Sequence, residues 1–182
     1  MIEKGSQMKI FIIGPANSGK TTTARLLAEE LDCKHAETGH VLMNRLAELF
    51  AASEPGNKTV TFWFKQISLC KDEYRQALAA LGDLMTSLQS SCLIDACACR
   101  ASIIAGVRRQ CEVWGHLAYD RRIDDKSVWI KVKRPGAKMT AGDNYDLDDF
   151  KPHFELVNDG SLDVLGGKVR ELADEIRTHF SS

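Results

Sequence analysis

The sequence lacks long apolar runs, and this absence excludes two classes of protein. No stretch approaches the roughly 20 apolar residues of a membrane-spanning helix, so we expect no membrane partner. The N-terminal MIEKGSQMK has no apolar core of the kind found in a secretory signal, and Met8 could be the natural start. We therefore expect a cytoplasmic protein.

The sequence also has no CxxC pair, no internal repeat and no low-complexity segment. Its six cysteines follow no regular framework, and Cys97 and Cys99 alone do not indicate a zinc site, which needs paired ligands at set spacings. Buried thiols in a reducing compartment are the simpler interpretation. With 182 residues, 44% of them hydrophobic and 27% charged, the chain is long enough to fold as one compact domain.

The chain has a net charge of only -1, but its charges are unevenly distributed. Residues 100–138 contain ten Lys and Arg against four Asp and Glu, whereas residues 139–182 contain four against ten. The basic stretch suits a nucleic-acid surface, a pocket for small polyanions or a solvated face, and composition does not choose among them.

Short β-rich runs alternate with amphipathic segments along the chain. The predicted strands lie at 9–13, 32–39, 102–105, 127–132 and 154–157. Helical patterns follow each of the first three strands, a polar loop follows the fourth, and a helical pattern at 161–180 follows the fifth. This order predicts an α/β fold of three layers, α/β/α, around a mostly parallel five-stranded sheet. We expect a single domain over 1–182, with a core at 8–39 and 100–182, a helical region at about 40–99 and a mobile loop at about 135–149.

Apolar residues in the helical region are interpreted mainly as core. One face of the helix predicted at 72–90 carries Tyr74, Ala77, Leu78, Leu81, Met85 and Leu88, a spacing typical of helix packing. Phe62, Trp63 and Phe64 follow the SEPGN break at 53–57. Core burial is the default expectation for these aromatic residues, and a homodimer interface or a lid hinge is the alternative.

The segment GPANSGKT at 14–21 follows the first predicted strand and opens the first predicted helix. Its glycines let the backbone wrap closely around phosphates, and backbone N–H groups at a helix N-terminus favour anions. We therefore predict a site for ATP and Mg²⁺, with the Lys20 ammonium on the outer phosphates and the Thr21 hydroxyl as a metal ligand. The predicted nucleotide-binding residues are Gly14, Ala16, Asn17, Ser18, Gly19, Lys20, Thr21 and Thr22.

Three later segments carry a resemblance to a known family. They are IIAGVRRQCEVWGHLAY at 103–119, WIKVKRPGA at 129–137 and FELVNDGSLDVLGGKVREL at 154–172. Together with GPANSGKT at 14–21, called the phosphate loop below, they resemble the bacteriophage-type deoxynucleoside monophosphate kinases. These kinases are a branch of the nucleoside monophosphate kinase-like P-loop proteins. The resemblance covers most of residues 8–180. It implies a kinase that uses ATP and Mg²⁺ to convert a (deoxy)nucleoside monophosphate into the diphosphate, in the host cytoplasm if the gene is phage-encoded.

The resemblance is carried over by position. Arg108 and Glu112 match an Arg and a Glu of the family, Arg134-Pro135 matches a strand ending in Arg-Pro, and 158–162 matches Asn-Asp-Gly-Ser-Leu. Thr38 and Gly39 are similar to the Thr-Gly turn beside the acceptor nucleotide in adenylate-kinase-like enzymes, where His40 replaces the usual Asp. The predicted catalytic residues are Lys20, Arg108 and Arg134; the acceptor residues are Thr38, Gly39, Arg75, Arg108 and Glu112; Asn158 and Gly160 are assigned to the donor nucleotide.

The arginines also have independent chemical arguments and alternatives. Arg108 follows a predicted strand, where open α/β sheets bind ligands, and a guanidinium can hold a phosphate through two parallel hydrogen bonds. The alternative is a surface arginine paired with Glu112. Arg134 would stabilise the transferred charge as the loop at 135–149 closes. Arg75, Arg121 and Arg122 also suit a solvated face, and Asn158 also suits a turn that caps the last helix.

Gly106 is a departure, because the resembled family has Asp before the Val-Arg pair. Glu37, Asp83 and Asp95 are the candidate replacements, which the sequence does not rank. The loss leaves a non-catalytic nucleotide-binding module as an alternative, and the acidic GDNYDLDD at 142–149 leaves the acceptor open. Dephospho-coenzyme A kinase and polynucleotide 5′-kinase are the alternatives among kinases. The few aromatic residues in the basic stretch argue against nucleic acid and for small nucleotides as partners.

Overall fold

The computed structural model describes residues 8–53, 58–119, 127–137 and 145–180. Within these ranges the chain forms five strands and seven helices, four of which follow one another between the second and third strands. The strands are β1 (Lys9–Ile13), β2 (His35–Glu37), β3 (Ile103–Val107), β4 (Ser127–Lys133) and β5 (Phe154–Val157). The helices are α1 (Lys20–Glu30), α2 (Thr38–Ser53), α3 (Val60–Leu69), α4 (Arg75–Leu88), α5 (Cys92–Ala98), α6 (Gln110–Tyr119) and α7 (Leu162–Phe180).

The strands form one sheet in the order β2-β3-β1-β4-β5, and every neighbouring pair is parallel. The predicted three-layer α/β/α class is therefore confirmed, with a sheet that is parallel throughout the described residues. Each predicted strand is present. β3 runs two residues further than 102–105 predicts, to Val107, and its pairing with β1 shifts register there.

The two faces of the sheet are covered by different helices because strand side chains alternate in direction. Ile10 and Ile12 of β1 pack with α1 and α7, which bury residues such as Leu27 and Val169 on that face. Phe11 lies on the opposite face, stacked on Trp129 at 4.3 Å between ring centroids. That face is covered by α5 and α6.

The helical region differs from the prediction in its boundaries. The helix predicted over 72–90 is present as α4, which covers Arg75–Leu88, and α5 is a further helix that the sequence pattern did not indicate. The predicted apolar stripe is partly wrong, since Ala77 is exposed and Leu88 is 80% exposed. The packed residues of α4 are Leu78, Gly82 and Thr86, because the helix turns this side toward the neighbouring helices α2 and α5.

The aromatic residues of α3 are divided between core and surface. Trp63 and Phe64 pack against the cluster formed by α2, α3 and α4, while Phe62 is 41% exposed. The homodimer stays an untested prediction. Among the described helices, none is by itself long and apolar enough to cross a membrane; α4 and α5 meet that criterion only together, as a pair bent by 93°.

The carboxyl edge of the sheet brings the predicted site residues together. The phosphate loop follows β1, Thr38 follows β2, Arg108 follows β3, Arg134 follows β4 and Asn158 follows β5. In a parallel sheet these strand ends lie at one edge, which is where open α/β sheets bind ligands.

Candidate functional site

A cavity of about 430 Å³ opens at the carboxyl edge of the sheet. Among the described residues its lining includes six cations, three acids and an apolar wall. The cations are Lys20, Lys71, Arg75, Arg108, Arg109 and Arg134; the acids are Glu37, Asp83 and Glu112; the wall includes Leu42, Leu78, Ala79 and Leu93. A pocket of this size, with one cationic end and one apolar wall, suits a ligand that carries both phosphate and a flat apolar face.

The phosphate loop forms one end of this cavity. Gly19 precedes α1 with φ of 100°, and no side chain caps the helix there, so the first N–H groups of α1 can serve an anion. The Lys20 ammonium is buried and donates to the carbonyl of Pro15 within the loop. The local sequence folds this way because glycine tolerates the left-handed conformation before the helix.

Asn158 packs against the phosphate loop. Its Nδ2 donates to the carbonyl of Ser18 at 3.0 Å, and a Cβ at Gly19 would come within 2.4 Å of that Nδ2. Asn158 thus contacts the phosphate loop with its side chain, while its backbone N–H donates to the carbonyl of Lys133. Neither Asn158 nor Gly160 lines the cavity, so their assignment to the donor base stays a prediction.

Thr21 faces Glu37 at the same end of the cavity. Thr21 Oγ1 donates a hydrogen bond to Glu37 Oε2 at 2.9 Å. In the part of the chain that the structure describes, no three His, Cys, Asp or Glu side chains gather into a cluster that could hold a metal. A Mg²⁺ ion at Thr21 would therefore complete its coordination with phosphate oxygens and water, as this cation commonly does.

Lys71, Arg75 and Arg108 form a cationic part of the cavity lining, called the cationic end below. Lys71 lies close enough to the two arginines that their charges act on its ammonium. Partial burial lowers the pKa of Lys71, and the positive charges of Arg108 and Arg75 lower it further, while Glu37 opposes this. Cations gathered in this way favour a multivalent anion between them.

Glu112 lines the cavity next to Arg108 and Arg109. It is 3% exposed, and its Oε2 accepts hydrogen bonds from the backbone N–H groups of Arg108 at 2.9 Å and Arg109 at 3.0 Å. Burial raises the pKa of Glu112, and the two backbone donors act in the opposite direction. The carboxylate therefore fixes the turn that carries both arginines at the start of α6, in the manner of a capping residue.

Gly106 occupies a position that a side chain does not fit. Its φ is 95°, and a Cβ there would lie 2.6 Å from Thr38 Oγ1, which donates to the Gly106 carbonyl at 2.8 Å. An Asp at this position would need a different backbone. Position 106 is therefore closed by Thr38 and leaves no open space for a carboxylate side chain.

Most of the predicted residues are brought together. The predicted residues that line the cavity are Ala16, Asn17, Gly19, Lys20, Thr21, Thr38, Gly39, Arg75, Arg108, Glu112 and Arg134. Gly14 and Ser18 of the phosphate loop and Thr22 of α1 do not line the cavity. Thr38 and Gly39 form the first turn of α2, so the separate turn expected there is replaced by a helix start. Arg121 and Arg122 lie outside the described residues.

Of the three acidic candidates, Glu37 and Asp83 line the cavity, and only part of the predicted loop lies in the described residues. Asp95 does not line the cavity and instead accepts from Ser91 Oγ at 2.7 Å. Residues 138–144 of the loop expected at 135–149 lie outside the described ranges. From Tyr145 the chain is packed: Leu147 is fully buried, and Asp146 accepts the N–H of Gln110 at 2.6 Å.

Lys71 and Arg109 line the cavity but were not predicted from the sequence. Arg109 stands next to Arg108 and forms an ion pair with Asp83 of α4, so the Arg-Arg pair at a strand end was an available signal. Lys71 follows α3 in a turn, and nothing in its local sequence marks it. Its place in the cavity depends on how α3 and α4 pack.

The comparisons with known proteins are partial. No family model matches the chain. A segment of 42 residues is 52% identical to a protein named cytidylate kinase from Phytoplasma mali (strain AT), which is 23% of this chain and 17% of the relative. A solved unliganded structure described as a sugar kinase from Janibacter sp. HTCC2649 has a TM-score of 0.43 at 15% identity, over 92% of this chain and 95% of that chain.

Proposed function

We propose that this protein is a kinase that transfers the γ-phosphate of ATP to a (deoxy)nucleoside monophosphate. The observation that carries the proposal is one cavity shared by Lys20 and Thr21 of the phosphate loop and by Arg75, Arg108 and Arg134. Phosphoryl transfer depends on aligning donor and acceptor and on cations around the moving charge. Both requirements can be met within this cavity.

The donor half of the proposal places ATP on the phosphate loop. The uncapped start of α1 and the Lys20 ammonium favour its phosphates, and Thr21 offers a hydroxyl ligand to Mg²⁺. The magnesium ion, when bound, would offset the charge that develops on the phosphates.

The acceptor half places a monophosphate at the cationic end. Arg108 and Arg75 would hold the acceptor phosphate, and Arg134 would stabilise the transferred group. Leu42, Leu78 and related apolar residues form a wall against which a nucleobase can lie. The short segment shared with a protein named cytidylate kinase supports this class of acceptor.

The test is an acceptor panel. The protein is incubated with ATP and Mg²⁺ and, in turn, each nucleoside and deoxynucleoside monophosphate, dephospho-coenzyme A and a 5′-hydroxyl oligonucleotide, and ADP formation is followed. We expect stimulation by one or a few monophosphates and none in Lys20→Ala. Stimulation only by one of the other acceptors would reassign the substrate, and ATP binding without any stimulated turnover would indicate a non-catalytic module.

A further inference from the structure

The end of β2 places a carboxylate beside the phosphate loop. Glu37 is the last residue of β2, and its Oε2 accepts the Thr21 hydroxyl at 2.9 Å. Both residues line the cavity beside Lys20. This arrangement joins two strand ends, those of β1 and β2, which are separated in the sheet by β3.

The other acidic side chains in or near the cavity form ion pairs or hydrogen bonds with groups outside the phosphate loop. Asp83 forms an ion pair with Arg109, and Glu112 accepts two backbone N–H groups at the start of α6. Asp95 lies outside the cavity. Gly106, the position at which the resembled family carries an acid, has a left-handed backbone and a Thr38 oxygen within 2.6 Å of any Cβ. Of the three carboxylates in the described lining, Glu37 is the one in contact with the phosphate loop.

The direction of the hydrogen bond suits a cation at Thr21. Because the hydroxyl donates its proton to Glu37, the lone pairs of its oxygen are available to a metal. A carboxylate that accepts from a ligand also orients the ligand and increases its basicity. Mg²⁺ is commonly held by one or two protein oxygens together with substrate phosphates and water.

We infer that Glu37 is the carboxylate that supports the nucleotide-bound divalent cation, acting with the Thr21 hydroxyl in place of an acid on β3. The inference rests on the proposed binding of ATP but not on the identity of the acceptor. Glu37 acts here as a positioning residue: it holds Thr21 and supplies negative charge next to the cation.

The experiment measures metal affinity without any turnover. Mn²⁺ is titrated into the complex of the protein with ADP and followed by electron paramagnetic resonance, and ADP affinity is measured by calorimetry with Mg²⁺ and with EDTA. Glu37→Gln keeps an oxygen that can accept from Thr21 but removes the charge. We expect its Mn²⁺ affinity to fall by about 10- to 100-fold, with ADP affinity in EDTA unchanged or improved.

Two further variants control the result. Asp83→Asn makes the same carboxylate-to-amide change elsewhere in the cavity, and we expect wild-type Mn²⁺ affinity. Glu37→Asp retains the charge and should recover part of the loss. Each variant is compared by thermal unfolding without nucleotide.

The inference is overturned if Glu37→Gln binds Mn²⁺ as wild type does. It is also overturned if the variant loses ADP affinity equally in Mg²⁺ and in EDTA, because Glu37 would then serve the loop and not the cation. Absence of nucleotide binding in the wild type would overturn both this inference and the donor half of the proposed function. A failed acceptor panel alone would leave the metal measurements fully interpretable.

Discussion

Replacement of Gly106 by Ala tests the local structure that excludes an acid from the end of β3. The residue has φ of 95°, and its missing Cβ would lie 2.6 Å from Thr38 Oγ1. A non-glycine residue held in such a conformation costs roughly 1–3 kcal/mol. Thr38 is 4% exposed, so it has little room to move away from the new methyl group.

The clash adds a second contribution to the cost. Displacing Thr38 Oγ1 would break its 2.8 Å hydrogen bond to the Gly106 carbonyl. Leaving a buried polar group unpaired costs about 1–3 kcal/mol. Ala also restricts the unfolded chain, which returns about 0.4–1 kcal/mol. We therefore expect Gly106→Ala to lower the free energy of unfolding by about 1–6 kcal/mol.

The assay is urea unfolding followed by circular dichroism, with Gly136→Ala as the matched control. Gly136 has φ of 74° and nothing within 4 Å of a Cβ, so its substitution includes the backbone strain and the unfolded-chain effect but no clash. Gly106→Ala should cost more than Gly136→Ala, and the difference should shrink in a Thr38→Ala background. Equal costs for the two glycines would refute the role of Thr38, and a Gly106→Ala variant as stable as wild type would refute the whole argument.

Three further substitutions test the site. Arg108→Ala should lower kcat/KM by about 100-fold with ATP affinity nearly unchanged, because charged hydrogen bonds to the acceptor are lost. Asn158→Ala removes the bond to the Ser18 carbonyl and should weaken ATP binding about fivefold in calorimetry. Because burial raises the pKa of Glu112, the folded chain holds its proton more tightly than the unfolded chain. Its contribution to stability is therefore full below the unfolded pKa and lost as the pH rises through the folded pKa. Urea unfolding at several pH values should show that the free energy of unfolding of Glu112→Gln, relative to that of wild type, increases as the pH rises.

Each of these has an outcome that contradicts it. A comparable loss of ATP affinity in Arg108→Ala would place that arginine on the donor side of the cavity. Unchanged ATP binding in Asn158→Ala would show that the loop keeps its shape without the contact. A Glu112→Gln variant that loses ground to wild type as the pH rises would show that the buried carboxylate is more stable charged than neutral in the fold.

The strands and the phosphate loop were predictable because their signals are local. β1 ends in an apolar run before Gly14, and α1 starts at a glycine that leaves its first N–H groups uncapped, so neighbouring residues suffice to indicate both. The helical region was less predictable. Its helices pack on one another, and the apolar residue Leu88 is exposed where periodicity alone assigned it to the core.

The acceptor side depends on contacts between distant parts of the chain. Arg109 forms an ion pair with Asp83 across 26 sequence positions. The charge of Arg108 acts on the Lys71 ammonium only because the packing of the helical region brings the two residues near each other. No local pattern records such pairs, because the chain segments meet only after the sheet and the helices have packed.

The sequence by itself determined the glycine-rich loop at 14–21, its strand and helix, and the arginine that follows β3, since each depends on a few adjacent residues. Only the tertiary structure decided which acid accompanies Thr21. Glu37 was one of three candidates of equal standing along the chain, and the parallel sheet distinguishes it by bringing the end of β2 to within hydrogen-bonding distance of the start of α1. The same folding closes Gly106 against Thr38, so the position where an acid was missing has no room for one.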